Sequence, residues 1–404
     1  MSPAADLADR TRWGVVLSLL LGGIIAALHV GKVPPALPAL RTELGLDLIP
    51  AGFVVSTFNV LGMSLGLATG VVADRLGRRR LVGLGLACLA GGGTLGATSA
   101  GFPLLLASRV LEGLGFMAVS VASPALVLAA TAPRDRPLAL SLWSVFMPAG
   151  MALAMVAAPL ALDVVGWRGL WWTIAALAAA GIGAVLAATR GLALHAPPAG
   201  PSRRALLESL RRPALLLLAG TFGAYAFQWI ALMVWLPTFL PAAFGVEART
   251  AALLTALVVV MNVPGNLLGG WLLRRGLPAS RVILVAALGM ALCATGLILP
   301  VLPDPLRFAL VLLFSGTGGL IPAALFATVP GEAPSPRHMA AANGLLMQGS
   351  NIGQFLGPPV VAAAVTAAGG AWTGALGPMV TAAALAAGAA VLGARLPAPA
   401  RPSP

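Results

Sequence analysis

The sequence predicts an all-α membrane protein of twelve transmembrane helices, arranged as two pseudo-symmetric six-helix bundles. Three observations lead there: the bulk composition, a train of apolar segments of membrane-crossing length, and basic charge gathered on one side of that train. Of 404 residues, 59% are hydrophobic and 9% charged, against roughly 25% charged in soluble domains. Mean hydropathy is +0.96. The net charge of +13 and pI near 11.7 would point to nucleic acid in a soluble chain. Here the placement of the charges assigns them to topology, and no nucleic-acid partner is expected.

Crossing about 30 Å of hydrocarbon takes roughly 20 apolar residues. Twelve segments qualify: 13–33, 50–72, 81–100, 104–129, 138–161, 169–189, 214–236, 250–273, 281–302, 306–329, 339–362 and 374–394. None alternates as a barrel strand does, so each satisfies its backbone as a helix. Pro124, Pro148, Pro264 and Pro322 interrupt the segments and are expected to kink them. Met1 to Arg12 is short, polar and mixed in charge; Asp6 and Asp9 are wrong for a signal peptide, and the run from Trp13 is too long for its core. This run is expected to be the first transmembrane helix.

With the N-terminus inside, 19 of the 25 Lys and Arg residues fall in inner segments and four, Arg41, Arg168, Arg249 and Arg307, in outer loops. Lys32 and Arg109 fall within or near spans. That bias follows the positive-inside rule and places both termini in the cytoplasm. The connection from Arg190 to Arg212 carries His195, Pro197, Pro198, Pro201, Arg203 and Arg204, the polarity and proline content of a linker. The expected division is an N-terminal six-helix bundle at 1–189, a cytoplasmic linker at 190–213 and a C-terminal bundle at 214–404. The halves repeat each other. Gly70-x-x-x-Asp74-Arg75 recurs as Gly270-x-x-x-Arg274-Arg275, and Gly150 and Pro159 recur as Gly349 and Pro358 at the same spacing.

The knot of charge at Gly70-Val-Val-Ala-Asp74-Arg75-Leu-Gly77-Arg78-Arg79-Arg80 has four arginines in six residues, which forces a short loop at a membrane face. This pattern resembles the signature loop of the major facilitator superfamily of transporters. Arg109-Val-Leu-Glu112-Gly113-Leu-Gly115 is similar to the R-x-x-x-G-x-G motif of the family's fourth helix, and Gly166-Trp167-Arg168-Gly169 to its W-R turn. The fifth segment keeps only fragments of the antiporter motif, in Met147-Pro148-Ala149-Gly150-Met151-Ala152-Leu153-Ala154. Combined with Gln348-Gly349-Ser350-Asn351-Ile352-Gly353-Gln354 in the eleventh segment, it resembles the cyanate and nitroimidazole transporter-like branch. The resemblance implies two parallel-repeated bundles with a substrate site between them near mid-membrane, and transport by alternating access across the bacterial inner membrane.

Charges inside the bilayer carry the mechanism, because each costs about 2.5–3.5 kcal/mol on insertion scales unless it meets a partner or a cavity. Arg109 and Glu112, three apart, share a helix face: either a self-neutralising structural pair, or an arginine for an anionic or polar substrate beside a proton carrier. Lys32, the only lysine, either snorkels to the interface or lines the outer half of a cavity with His29. Pro34, Pro35 and Pro38 are expected to end or bend the helix there. His29 and Glu112 are the two in-membrane candidates for proton coupling. Neutral contributors to the substrate site are Asn59, Tyr225, Gln228, Trp229, Asn262 and Asn266, with Asn343, Gln348, Asn351 and Gln354 in the eleventh segment; some of these must pack between helices. Trp171, Trp172 and Trp235 read as interfacial anchors, Trp229 as a cavity wall.

The loop residues Gly70, Asp74, Arg75, Gly77, Arg78 and Arg79 form the candidate gate. Asp74 would dock on the positive end of the helix that starts near Arg337, and Arg274 at the duplicated position makes that gate one-sided. Cys88 and Cys293 lie far apart in apolar runs and read as small hydrophobes. There are three histidines and no H-E-x-x-H, C-x-x-C or P-loop pattern, so no metal, cofactor or enzymatic activity is expected. The expected protein is a monomeric secondary active transporter, surrounded by lipid, of a small solute. More base than acid in the cavity favours an anion. The alternatives are an efflux pump for hydrophobic drugs and a non-transporting sensor of the same fold; the lack of an appended soluble domain or signalling tail speaks for transport.

Overall fold

The computed structural model describes residues 10–65, 76–192, 203–333 and 339–396, and every regular element among them is helical. The first apolar run forms α1 (Trp13–Gly31) and, after Lys32, α2 (Val33–Leu44). The prolines do not end this span near residue 33. Pro34 and Pro35 fall in the first turn of α2, where no intrahelical N–H bond is lost, and only Pro38 lies deeper. Next come α3 (Leu48–Ser56), a 3-10 turn (Thr57–Asn59) and α4 (Val60–Leu65), then α5 (Arg78–Ala97) and α6 (Phe102–Ala129). After them α7 (Arg136–Ser144) leads into α8 (Phe146–Ala188). Within α8, Gly166 adopts φ 65° and ψ −179°, a conformation suited to glycine alone. The W-R turn therefore separates the fifth and sixth crossings.

Beyond α9 (Arg203–Leu210), the described part of the expected linker, lie α10 (Pro213–Phe244), α11 (Ala248–Val260), α12 (Asn262–Arg274) and α13 (Ala279–Ile298). The chain closes with α14 (Asp304–Glu332), α15 (Met339–Ala367) and α16 (Leu376–Arg395). Pro148 and Pro264 each sit at the third residue of a new helix, just after breaks at Val145 and Met261. Their missing N–H groups thus fall where none is needed, while Pro124 and Pro322 remain inside continuous helices. Nine described stretches are long and apolar enough to cross a bilayer, one of them being the whole of α8. With α8 counted as two crossings, and with α3–α4 and α15 added, the crossings number twelve. Leu267, Val285 and Leu292, each about two-thirds exposed or more, belong to the apolar outer belt that lipid covers.

The chain packs as two compact units: Met1–Leu40 with Ala68–Gly200, and Arg41–Leu67 with Pro201–Pro404. In the first, the front half of α8 lies along α1. A Cβ on Gly150 would stand 2.5 Å from the Ala27 Cβ, and one on Gly31 2.8 Å from the Ala154 Cβ. In the second, α15 lies along α10 in the same way, with Gly349 on the Ala219 carbonyl and Gly353 on the Gly223 carbonyl. The repeated Gly150 and Gly349 therefore serve one purpose in both units, letting the fifth crossing of a half approach the first. The second unit also seats α3. There Gly52 lies on the backbone of Pro358 and Pro359, and the Phe53 ring lies 6.2 Å from that of Phe355.

Candidate functional site

The charged residues inside the first unit converge. His29 and Lys32 stand one turn apart at the end of α1, Arg109 and Glu112 one turn apart in α6, and all four are fully buried. Lys32 Nζ donates to Glu112 Oε1 at 2.6 Å, and His29 Nδ1 lies 2.9 Å from the same oxygen. Arg109 Nη1 donates to Glu112 Oε2 and, at 3.0 Å, to the backbone carbonyl of His29. His29 Nδ1 and Lys32 Nζ are 3.2 Å apart. A carboxylate only accepts, so the imidazole presents N–H at Nδ1. Its Nε2 has no hydrogen-bond partner among the described residues.

Helix α5 makes the space for these groups. The run Gly91-Gly92-Gly93-Thr94-Leu95-Gly96 turns a face without side chains towards them. A Cβ on Gly92 would stand 2.7 Å from Glu112 Cγ, one on Gly93 3.2 Å from His29 Cε1, and one on Gly96 2.7 Å from Trp171 Cδ1. Trp171, from the rear half of α8, completes the cluster with its ring centroid 4.4 Å from Lys32 Nζ. The result is two basic side chains against one carboxylate in a place without solvent exposure. Burial makes such groups costly unless every charge is paired and hydrogen-bonded, and Glu112 meets that demand through both of its oxygens.

One of the two readings of Lys32 falls away, and the expectation for two tryptophans changes. Lys32 does not snorkel: its stem is buried and its ammonium turns inward, because Glu112 supplies a stronger partner than the headgroup region. Trp171 is no interfacial anchor, since it is wholly buried, and neither is Trp235, which is 2% exposed and donates to the Pro358 carbonyl at 3.0 Å. Trp172, 47% exposed, keeps the environment of an anchor. The Arg109–Glu112 pair forms as spacing suggests, but as part of a larger cluster.

The neutral candidates belong to the second unit. Asn262 Nδ2 donates to the Tyr225 hydroxyl at 3.1 Å and to the Ser315 carbonyl at 3.0 Å, and Asn266 Nδ2 donates to Asn262 Oδ1 at 2.9 Å. Trp229 Nε1 donates to Ser315 Oγ at 3.2 Å. This network sits at the break between α11 and α12, where Asn262 opens the new helix. Ser315 was not foreseen: no polar pattern surrounds it in sequence. Gln348 donates to the Met63 carbonyl at 2.9 Å and Asn351 to the Met347 carbonyl at 2.8 Å, while Gln354 reaches Ser350 Oγ at 3.2 Å. The Gln348 bond is an interhelical contact of the kind expected for part of the set, while Asn351 and Gln354 bond within α15. Gln228 is fully buried and donates to the Ala224 carbonyl at 3.2 Å. Asn59 is partly buried in the 3-10 turn, and Asn343 in the first turns of α15.

Of the candidate gate, Gly77, Arg78 and Arg79 are described; Gly70, Asp74 and Arg75 lie outside the described residues, as does Arg337. Gly77 has φ 80° and turns the chain into α5. Arg79 then donates to the Leu186 carbonyl at 2.7 Å and to Thr189 Oγ1 at 3.2 Å, closing the carbonyl end of α8 where a cation is favoured. Among the described residues no three His, Cys, Asp or Glu side chains gather closely enough to hold a metal ion.

A family model described as Major Facilitator Superfamily matches residues 19–358. The methylenomycin A resistance protein of Bacillus subtilis (strain 168) is 29% identical over 168 residues, covering 41% of this chain and 36% of that protein. The puromycin resistance protein pur8 of Streptomyces alboniger is 27% identical over 168 residues, again 41% of this chain and 33% of that protein. The chain thus spans about a third of the length of these curated relatives. The crystal structure of a bacterial homologue of the human lysosomal transporter Spinster, inward-facing and unoccupied, has a TM-score of 0.78 at 19% identity over 95% of this chain and 97% of that one.

Proposed function

The chain belongs to the major facilitator superfamily of membrane transporters, and from that premise we propose that it is a secondary active transporter of a small anionic or polar solute. The observation that carries this reading is the buried cluster of the first unit, in which Lys32 and Arg109 outnumber the carboxylate of Glu112. A buried site with surplus positive charge attracts anions and repels cations. Arg109 and Lys32 are the anion-binding groups, and His29 and Glu112 carry the coupled proton. The Tyr225, Asn262 and Trp229 network of the second unit, with Gln228, Asn59, Gln348 and Asn351, offers neutral hydrogen-bonding contacts. The bundles 1–189 and 214–404 rock about the bound solute, with Asp74 and its arginines as the inner gate. The protein works as a monomer in the lipid of a bacterial inner membrane, with both termini in the cytoplasm. The cyanate and nitroimidazole transporter-like branch is the narrower proposal.

Drug efflux is the second reading, favoured by the likeness to two antibiotic-resistance proteins over about a third of their length. Proteoliposomes decide between them. Counterflow of small anions such as cyanate, nitrate and formate is expected in the native protein, lost in Arg109→Ala. In vesicles with an imposed pH gradient, driven uptake is expected to vanish in Glu112→Gln or His29→Gln. Transport undiminished in Arg109→Ala removes the arginine from the site, and persistence of driven uptake in both other variants removes proton coupling through these groups. Efflux of a hydrophobic dye without anion counterflow selects the second reading.

A further inference from the structure

The fully buried indole of Trp171 has no part in the transport proposed above, yet its ring meets the Lys32 ammonium. Lys32 lies inside the first span, Trp13–Leu44, and a lysine's flexible four-carbon stem lets its ammonium reach for more polar surroundings. Here the ammonium instead lies 2.6 Å from Glu112 and 4.4 Å from the Trp171 ring centroid. The indole N–H has no hydrogen-bond partner among the described residues, so the ring acts on the cluster through its π face and not through its polar edge. Gly96 and Trp167 hold it, and Arg168 braces Trp167. Gly96 leaves it a seat, since a Cβ there would stand 2.8 Å from Nε1. Trp167 meets it edge-on at 5.5 Å and 88°, and Arg168 stacks 4.2 Å over Trp167 while donating to the Ser99 carbonyl at 2.9 Å. The chain of contacts starts at the Gly166 turn and ends at the ammonium.

We propose that Trp171 is a positioning residue for Lys32: its π face holds the ammonium on Glu112 and keeps it from swinging towards solvent. The proposal rests on Lys32 belonging to the transport site, but its test reads the position of the amine and not transport. Lys32 is the only lysine of the sequence, so its reactivity can be followed alone by mass spectrometry of its peptide. The probe is a membrane-impermeant amine-acylating reagent, applied from the outer side of oriented proteoliposomes at one fixed alkaline pH. Desolvated cation–π contacts are strong enough to shift such a balance by about thirtyfold. Trp171→Leu is expected to raise the acylation rate of Lys32 by at least about tenfold, and Trp171→Phe, which keeps the π face, to leave it near the native rate. Equal rates in all three proteins overturn the proposal; so does a Trp171→Phe rate equal to that of Trp171→Leu, which would make the ring a space-filler. If Trp171→Leu fails to give a monodisperse protein, Gly96→Ala, which crowds the ring from its seat, is expected to expose Lys32 in the same way, and an unchanged rate there overturns the proposal. The site reading stands or falls separately: undiminished transport in Lys32→Met would remove the lysine from the site whatever its acylation rate.

Discussion

The charge balance of the buried cluster makes an ordered prediction about stability. Lys32, Arg109 and Glu112 carry a net charge of +1 when His29 is neutral. Glu112→Gln raises it to +2 and leaves two cations facing each other with no anion between them. At about 5 Å and an effective dielectric near 20, that repulsion is about 3 kcal/mol, and breaking a buried pair from one side costs about 3–5 kcal/mol. The expected loss is therefore about 3–5 kcal/mol. Lys32→Met moves the balance the other way. It leaves the neutral Arg109–Glu112 pair and an apolar stem of similar length, so no buried charge is left uncompensated. A unit of 150–250 residues loses about 2–4 °C in Tm per kcal/mol. In detergent, thermal unfolding should fall by about 6–20 °C in Glu112→Gln and by less than about 4 °C in Lys32→Met. A loss in Lys32→Met equal to or greater than that in Glu112→Gln would refute the view that Glu112 is the common counter-ion.

Two further outcomes are expected. Gly92→Ala should lower the melting temperature by several degrees, because its Cβ would stand 2.7 Å from Glu112 Cγ and 2.9 Å from the Glu112 amide and overpacking costs about 1–3 kcal/mol. Gly91→Ala, 3.8 Å from Leu111, should not lower it in the same thermal-shift assay, since alanine is the better helix former. In the second unit, Asn262→Leu should cost about 1–3 kcal/mol by stranding the Ser315 carbonyl and Asn266. Removing the Tyr225 hydroxyl as well, in Asn262→Leu with Tyr225→Phe, should cost less than the two single losses added, as a thermal double-mutant cycle will register.

The helical class and the number of crossings were readable from the sequence because hydrocarbon leaves the backbone no other choice. What sequence pattern misjudged were local outcomes that depend on a partner. Pro34 and Pro35 look like a stop or a bend, yet they fall in the first turn of a helix, because a single residue, Lys32, separates the end of one helix from the start of the next. Sequence alone leaves Lys32 between interface and interior, since its stem permits both and only the position of Glu112, eighty residues on, decides. Trp171 and Trp235 were placed by distance from segment ends, a rule blind to which side of a helix faces protein. The glycines of α5 carried a usable signal. A run of Gly91-Gly92-Gly93 with Gly96 beyond it marks a helix face that something bulky approaches, and here three members of the cluster do so.

Helices α3 and α4 are coded early but seated late. They lie with the second unit, and the surface that receives Gly52 and Phe53 belongs to α15, which begins roughly 270 residues after α4 ends. Ribosomes add about 5–20 residues per second, so the second crossing waits on the order of 15–60 s for its partner. During that interval the membrane must hold a helix with a bare glycine notch, and small-residue faces are sites where helices associate in lipid. The order of synthesis thus makes this notch a point where a substitution would act on biogenesis before it acted on the finished protein.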